Sequence, residues 1–180
     1  MSLGKSSAIY LLALAAFAAT SAKAQQWQPS PEQLASANDV LNRYFSATGK
    51  GLAQETYDLM SDRYHALDTF PAFEEDFNRT FSATGTLKDV KVTHVAWSKD
   101  PTDAPSLGVY VAVDLSMKFE HTHLHCGYLI LFQPPTGGKF FVTRSEFNFI
   151  DDSNVAKMGP AQTSKIWSEL NKNCPNYTGG

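Results

Sequence analysis

From Leu34 onward the apolar positions recur at helical spacing. Leu34, Ala37, Leu41, Tyr44 and Phe45 fall on one face, which predicts a helix from about Ser30 to Gly49. Ser30 is placed as its N-cap, Pro31 as its first helical residue, and Gly49 and Gly51 at its end. The same period predicts a second helix over about 52–64, with Leu52, Thr56, Leu59, Met60 and Arg63 on one side. A third follows over about 70–83, capped by Thr69, stopped by Gly85, and striped by Phe73, Phe77, Thr80 and Phe81. Helices this short need a shared core to hold them.

The period then changes to two. Residues 87–98 alternate as a strand, and residues 107–119 alternate strictly, with Val109, Val111, Val113, Leu115, Met117 and Phe119 on one side. Two more strands are predicted over 123–133 and 139–150, joined by the turn Pro134-Pro135-Thr136-Gly137-Gly138. A last helix is expected near 161–172. One buried and one wet face is the pattern of an antiparallel sheet, so the expected fold class is α+β, with short N-terminal helices packed on four antiparallel strands. A two-residue turn at His121-Thr122 would pair Val113 with Ile130 and Leu115 with Tyr128. In the same scheme Arg144 and Glu146 fall on the core side. The alternative is a bulge after Val142 that turns both charges outward and brings Phe147 and Phe149 in.

The first residues are not expected to belong to the fold. Lys5, the apolar run Ala8–Ala19 and the box Ala22-Lys23-Ala24 make residues 1–24 a secretory signal peptide, cleaved after Ala24. Residues 25–33 read as a polar leader, 34–150 as one α+β domain and 151–180 as a C-terminal helical extension. Cleavage would leave 13 basic against 18 acidic residues, so neither nucleic acid nor, after cleavage, a membrane is an expected partner. The expected location is the periplasm or the medium. An oxidising compartment makes a Cys126–Cys174 disulfide the default reading of the two cysteines, against two unpaired thiols.

His121, His123 and His125 alternate, so a strand would bring three imidazoles to one face. Neutral imidazoles bind zinc, copper and nickel; the competing reading is a solvated, His-rich hairpin tip. Tyr44, Tyr57 and Tyr128 could line a pocket or simply fill a core. The chain carries no G-x-S-x-G, P-loop, dinucleotide-binding glycine fingerprint or H-E-x-x-H, and no cofactor is expected.

The segments Gly51-Leu52, Tyr57-Asp58-Leu59-Met60-Ser61 and Phe73 through Gly85, with Gly138-Lys139-Phe140-Phe141-Val142, resemble the nuclear-transport-factor-2-like superfamily. More narrowly they resemble the exported bacterial family called domain of unknown function 4019, which has no established activity. The resemblance covers about 34–150. It implies that the sheet curls into a cone on which the short helices pack. Ketosteroid isomerases of that superfamily use a Tyr and a protonated Asp as oxyanion donors, with an Asp base. No carboxylate stands on the apolar face of 107–119, and Asp114 lies opposite, so no catalytic residue is carried over. The expected function is therefore non-catalytic, a ligand-binding or assembly module. It would hold a small apolar ligand or a protein partner and could form a homodimer through its sheet face. One alternative is a cone-pocket isomerase or dehydratase using Tyr128, Arg144 and Glu146. The other is a weak periplasmic metal binder using His121, His123 and His125.

Overall fold

A computed structural model describes residues 27–174, 176 and 177. The expected signal peptide and its cleavage point lie outside the described residues. Helix α1 spans Pro31–Gly49, and its start is a full capping box. The Ser30 hydroxyl accepts from the Gln33 N–H at 3.2 Å, and the Gln33 side chain accepts from the Ser30 N–H at 2.9 Å. The predicted second helix is broken in two, α2 over Ala53–Tyr57 and α3 over Asp62–Leu67. Between them Leu59–Ser61 run extended and bond to Val142 at 2.9 Å in both directions. Strand pairing thus outcompetes helix continuation, and Ser61 restarts the helix as an N-cap. Helix α4 spans Phe70–Thr84 and ends at Gly85, whose φ of 73° suits glycine.

Four strands follow, β1 Leu87–Lys99, β2 Val109–Phe119, β3 Thr122–Gln133 and β4 Phe141–Asp151, paired antiparallel in chain order. Val111, Val113, Leu115, Leu129, Leu131 and Val142 on the inner face are almost fully buried, in one cluster with Ala37, Val40 and Tyr44 of α1. The fold is a helix-covered, cone-like α+β domain. A C-terminal helical part completes it: α5 Asp152–Met158, which the sequence pattern did not reveal, and α6 Pro160–Leu170.

Two expectations about the sheet are settled by the pairing. The β2–β3 register is one residue away from the predicted one: Val113 faces Leu129, and Leu115 faces Gly127. A one-residue slip exchanges the faces of β3, so His125 and Leu129 point inward, while Cys126, Tyr128 and Ile130 point outward. Alternation could not decide this because both faces of β3 are covered. Cys126 and Ile150 form a second apolar cluster with Trp167 and Cys174, beneath α5 and α6. Cys126 and Cys174 are joined as a disulfide with Cα atoms 5.8 Å apart. In β4 the bulge alternative holds. Ile130 pairs with Arg144 and Leu131 with Val142, leaving Thr143 as the extra residue.

Candidate functional site: a cavity under the helices

Helix α4 packs against α2 and stands off the sheet. Between α4 and the inner faces of β3 and β4 lies a cavity of about 210 Å³. The helical wall carries Phe73, Asp76, Phe77 and Phe81, and the sheet wall carries His125, Ser145, Phe147 and Phe149. Met117 and Phe119 of β2, Tyr44 and Thr48 of α1, and Tyr64 and Asp68 near α3 complete it. Each wall has a local cause. The Thr143 bulge turns Ser145, Phe147 and Phe149 inward. Gly127 lets β4 approach closely, since a Cβ there would sit 2.3 Å from the Glu146 carbonyl oxygen.

His125 is the polar centre of the sheet wall. Its ring is packed by Phe119 and Phe147 at 5.4 Å and stacked on Phe149 at 6.4 Å. Its Nδ1 accepts the backbone N–H of Met117 at 3.2 Å, replacing a strand–strand bond where the β2–β3 ladder stops. Burial among these rings pushes its pKa down to about 4. The ring is therefore neutral at pH 7 with its proton on Nε2. With Nδ1 engaged as an acceptor, the side chain is a fixed donor through Nε2. It is unsuited to general-base work, because the lone pair of Nδ1 is engaged and the ring resists protonation.

The Tyr44 hydroxyl lies beside Thr48 and Ser145, and burial raises its pKa to about 12. Thr48 Oγ1 is buried with no hydrogen-bond partner among the described residues. Tyr64 is raised to about 12 by burial and by Asp68, whose carboxylate accepts its hydroxyl at 3.2 Å.

The residues expected from sequence are placed apart. Tyr44 lines the cavity. Tyr57 packs among His65, Phe70 and Phe73, with its hydroxyl donating to the Asp68 carbonyl at 2.7 Å. Tyr128, Arg144 and Glu146 do not enter the cavity: the bulge and the β3 register put all three on the outer sheet face. There the Tyr128 hydroxyl and the Arg144 guanidinium both donate to one Glu146 oxygen at 2.7 Å, and the guanidinium lies 5.4 Å from the Tyr128 ring centroid. These bonds, the tyrosine's first, hold the Glu146 carboxyl below the usual carboxylate range. The three histidines do not converge either. His125 is buried inside, while His121 and His123 are exposed at the hairpin tip. Among the described residues no group of three His, Cys, Asp or Glu side chains is placed to hold a metal ion. Sequence reasoning missed Asp68, Tyr64 and His125 as cavity groups; the aromatic stripe of 70–83 was the one signal that pointed to this wall.

No family model matches the chain, and no curated protein matches it. Among solved structures, a "putative aromatic ring hydroxylase" from Novosphingobium aromaticivorans is similar at 14% identity, over 68% of this chain and 92% of that one, with a TM-score of 0.43.

Proposed function

We propose that the protein is a non-catalytic ligand-binding member of the nuclear-transport-factor-2-like superfamily, close to the exported domain of unknown function 4019, acting outside the cytoplasm. The observation that carries this reading is the cavity: an apolar chamber with His125 on its sheet wall and the buried Thr48 Oγ1 left without a partner among the described residues. A buried polar group without a partner is costly, and a ligand oxygen would relieve it. Pockets of this composition, apolar with a few converging polar groups, are the usual form of small-molecule sites. A cavity of roughly 150 Å³ holds benzene, so one of about 210 Å³ suits a single substituted ring rather than a fused multi-ring skeleton. The residues that the isomerase or dehydratase alternative would use, Tyr128, Arg144 and Glu146, face away from this chamber, and His125 is a donor rather than a base. The disulfide supports the expected oxidising location, and no helix among the described residues is long and apolar enough to cross a membrane.

Titration calorimetry with benzyl alcohol tests the reading. Saturable one-to-one binding is expected, with a Kd on the order of 1 mM or tighter. Thr80→Trp, at an exposed position of α4 that borders the cavity, should block it. A protein that binds no such probe, or a Thr80→Trp variant that binds equally well, would refute it. The expected homodimer would use the part of the outer sheet face that α5 and α6 leave open, around Tyr128 and Ile130. Sedimentation of the wild type and of Ile130→Lys checks this, with dissociation of a dimer as the expected result.

A further inference from the structure

The cavity's charges are not balanced. Two carboxylates line it, Asp68 and Asp76, and no lysine or arginine does. Asp76 is matched at the surface by Arg79 at 2.5 Å. Asp68 has the Tyr64 hydroxyl but no ion-pair partner among the described residues. On the same wall Tyr64 and Phe73 meet edge to face at 6.2 Å, and Phe73 and Phe77 lie 5.6 Å apart. Aromatic faces carry negative quadrupole density, and an ammonium is attracted to them most strongly where water is scarce.

The opposite side of the chamber has other demands. His125 Nε2–H offers a donor, and Thr48 Oγ1 is buried and unmatched. A second cation has no counter-charge there, whereas a neutral oxygen fits.

We propose that the cavity selects a singly charged amine on one ring. Its ammonium lies beside Asp68 and the Tyr64, Phe73 and Phe77 rings, its ring against Met117 and Phe119, and any oxygen substituent toward His125. This rests on the reading of the cavity as a ligand site. A carboxylate or phosphate of the same shape would meet Asp68 with no cation to offset it, and an uncharged ring would gain the apolar contacts alone. The neutrality of His125 at pH 7 agrees with this, because a protonated imidazole would have reversed the preference.

The test compares three probes built on the same ring, benzylamine, benzyl alcohol and benzoate, titrated calorimetrically into the wild type at pH 7.5. Benzylamine is expected to bind about tenfold tighter than benzyl alcohol, and benzoate not to bind. Asp68→Asn should remove the amine's advantage over benzyl alcohol, while Tyr64→Phe, which keeps the carboxylate, should retain most of it. If benzyl alcohol binds and benzylamine binds no tighter, charge selection is wrong and the cavity reading stands. If none of the three binds, the cavity reading fails and takes this proposal with it. Should Asp68→Asn fold and keep the amine preference, Asp68 is not the anionic partner. The wild-type comparison decides the matter even if that variant does not fold.

Discussion

Burial keeps the His125 ring neutral, and this links the protein's stability to pH. Its folded pKa, about 4, lies below the ordinary value of 6.5. The unfolded chain therefore takes up a proton first as pH falls. Stability is complete above about 6.5 and is lost progressively between about 6.5 and 4. The separation corresponds to on the order of 3 kcal/mol. Denaturant unfolding at pH 7 and pH 4 should show a loss larger by about that amount in the wild type than in His125→Gln; parallel losses would show that the ring titrates normally. The groups packed on this histidine, Phe119, Phe147 and Phe149, carry no charge that could compensate. Nothing in the sequence marked His125 apart from its neighbours. In the pattern H-T-H-L-H all three imidazoles look alike, and only the strand register separates the buried one from the two at the tip.

Strands and their connections explain both what the sequence made legible and what it hid. Strand β2 could be read because one of its faces is strictly apolar. Strand β3 could not, because Leu124 and Cys126 serve a second core under α5 and α6 while Leu129 and Leu131 serve the main one. The β4 bulge was legible as an alternative, because Arg144 and Glu146 are expensive to bury. The break between α2 and α3 was not, since Leu59 and Met60 fit a helix until Val142 offers Leu59 and Ser61 backbone partners. Two predictions belong to this scale. Cys174→Ser opens a link that spans 48 residues, and loop-closure entropy puts the loss at up to about 4 kcal/mol. Hydrogen exchange should then accelerate in α5 and α6 before it does in β2; uniform acceleration would mean that the extension is not an independent unit. Glu146→Gln, in an exposed cluster on the outer face, should change stability by no more than about 0.5 kcal/mol and leave ligand binding intact. A large effect on binding would return that cluster to the site.

At the scale of the whole molecule, the cavity is the space left by two layers that do not close on each other. The sheet curls, α1 packs into its hollow, and α4 spans the mouth without reaching the floor. The α+β class and the order of elements were legible because periodicity changes from 3.6 to 2 at a single point near residue 86. The chamber was not, because it depends on which faces of β3 and β4 turn inward, and a single residue of register decides that. Val113, fully buried beneath α1, tests the layer packing: Val113→Asp places an unpaired charge in the core and should abolish cooperative unfolding. A soluble variant with an unchanged melting temperature would show that this face is not the core. The central claim is that a single-ring molecule binds inside the cone. Intermolecular nuclear Overhauser contacts from bound benzyl alcohol to the assigned chain test it most directly. The account predicts contacts from the ring to the Met117 methyl and to the Phe147 and Phe149 rings. Contacts to Tyr128 and Ile130 on the outer sheet face, with none to Met117, would contradict it.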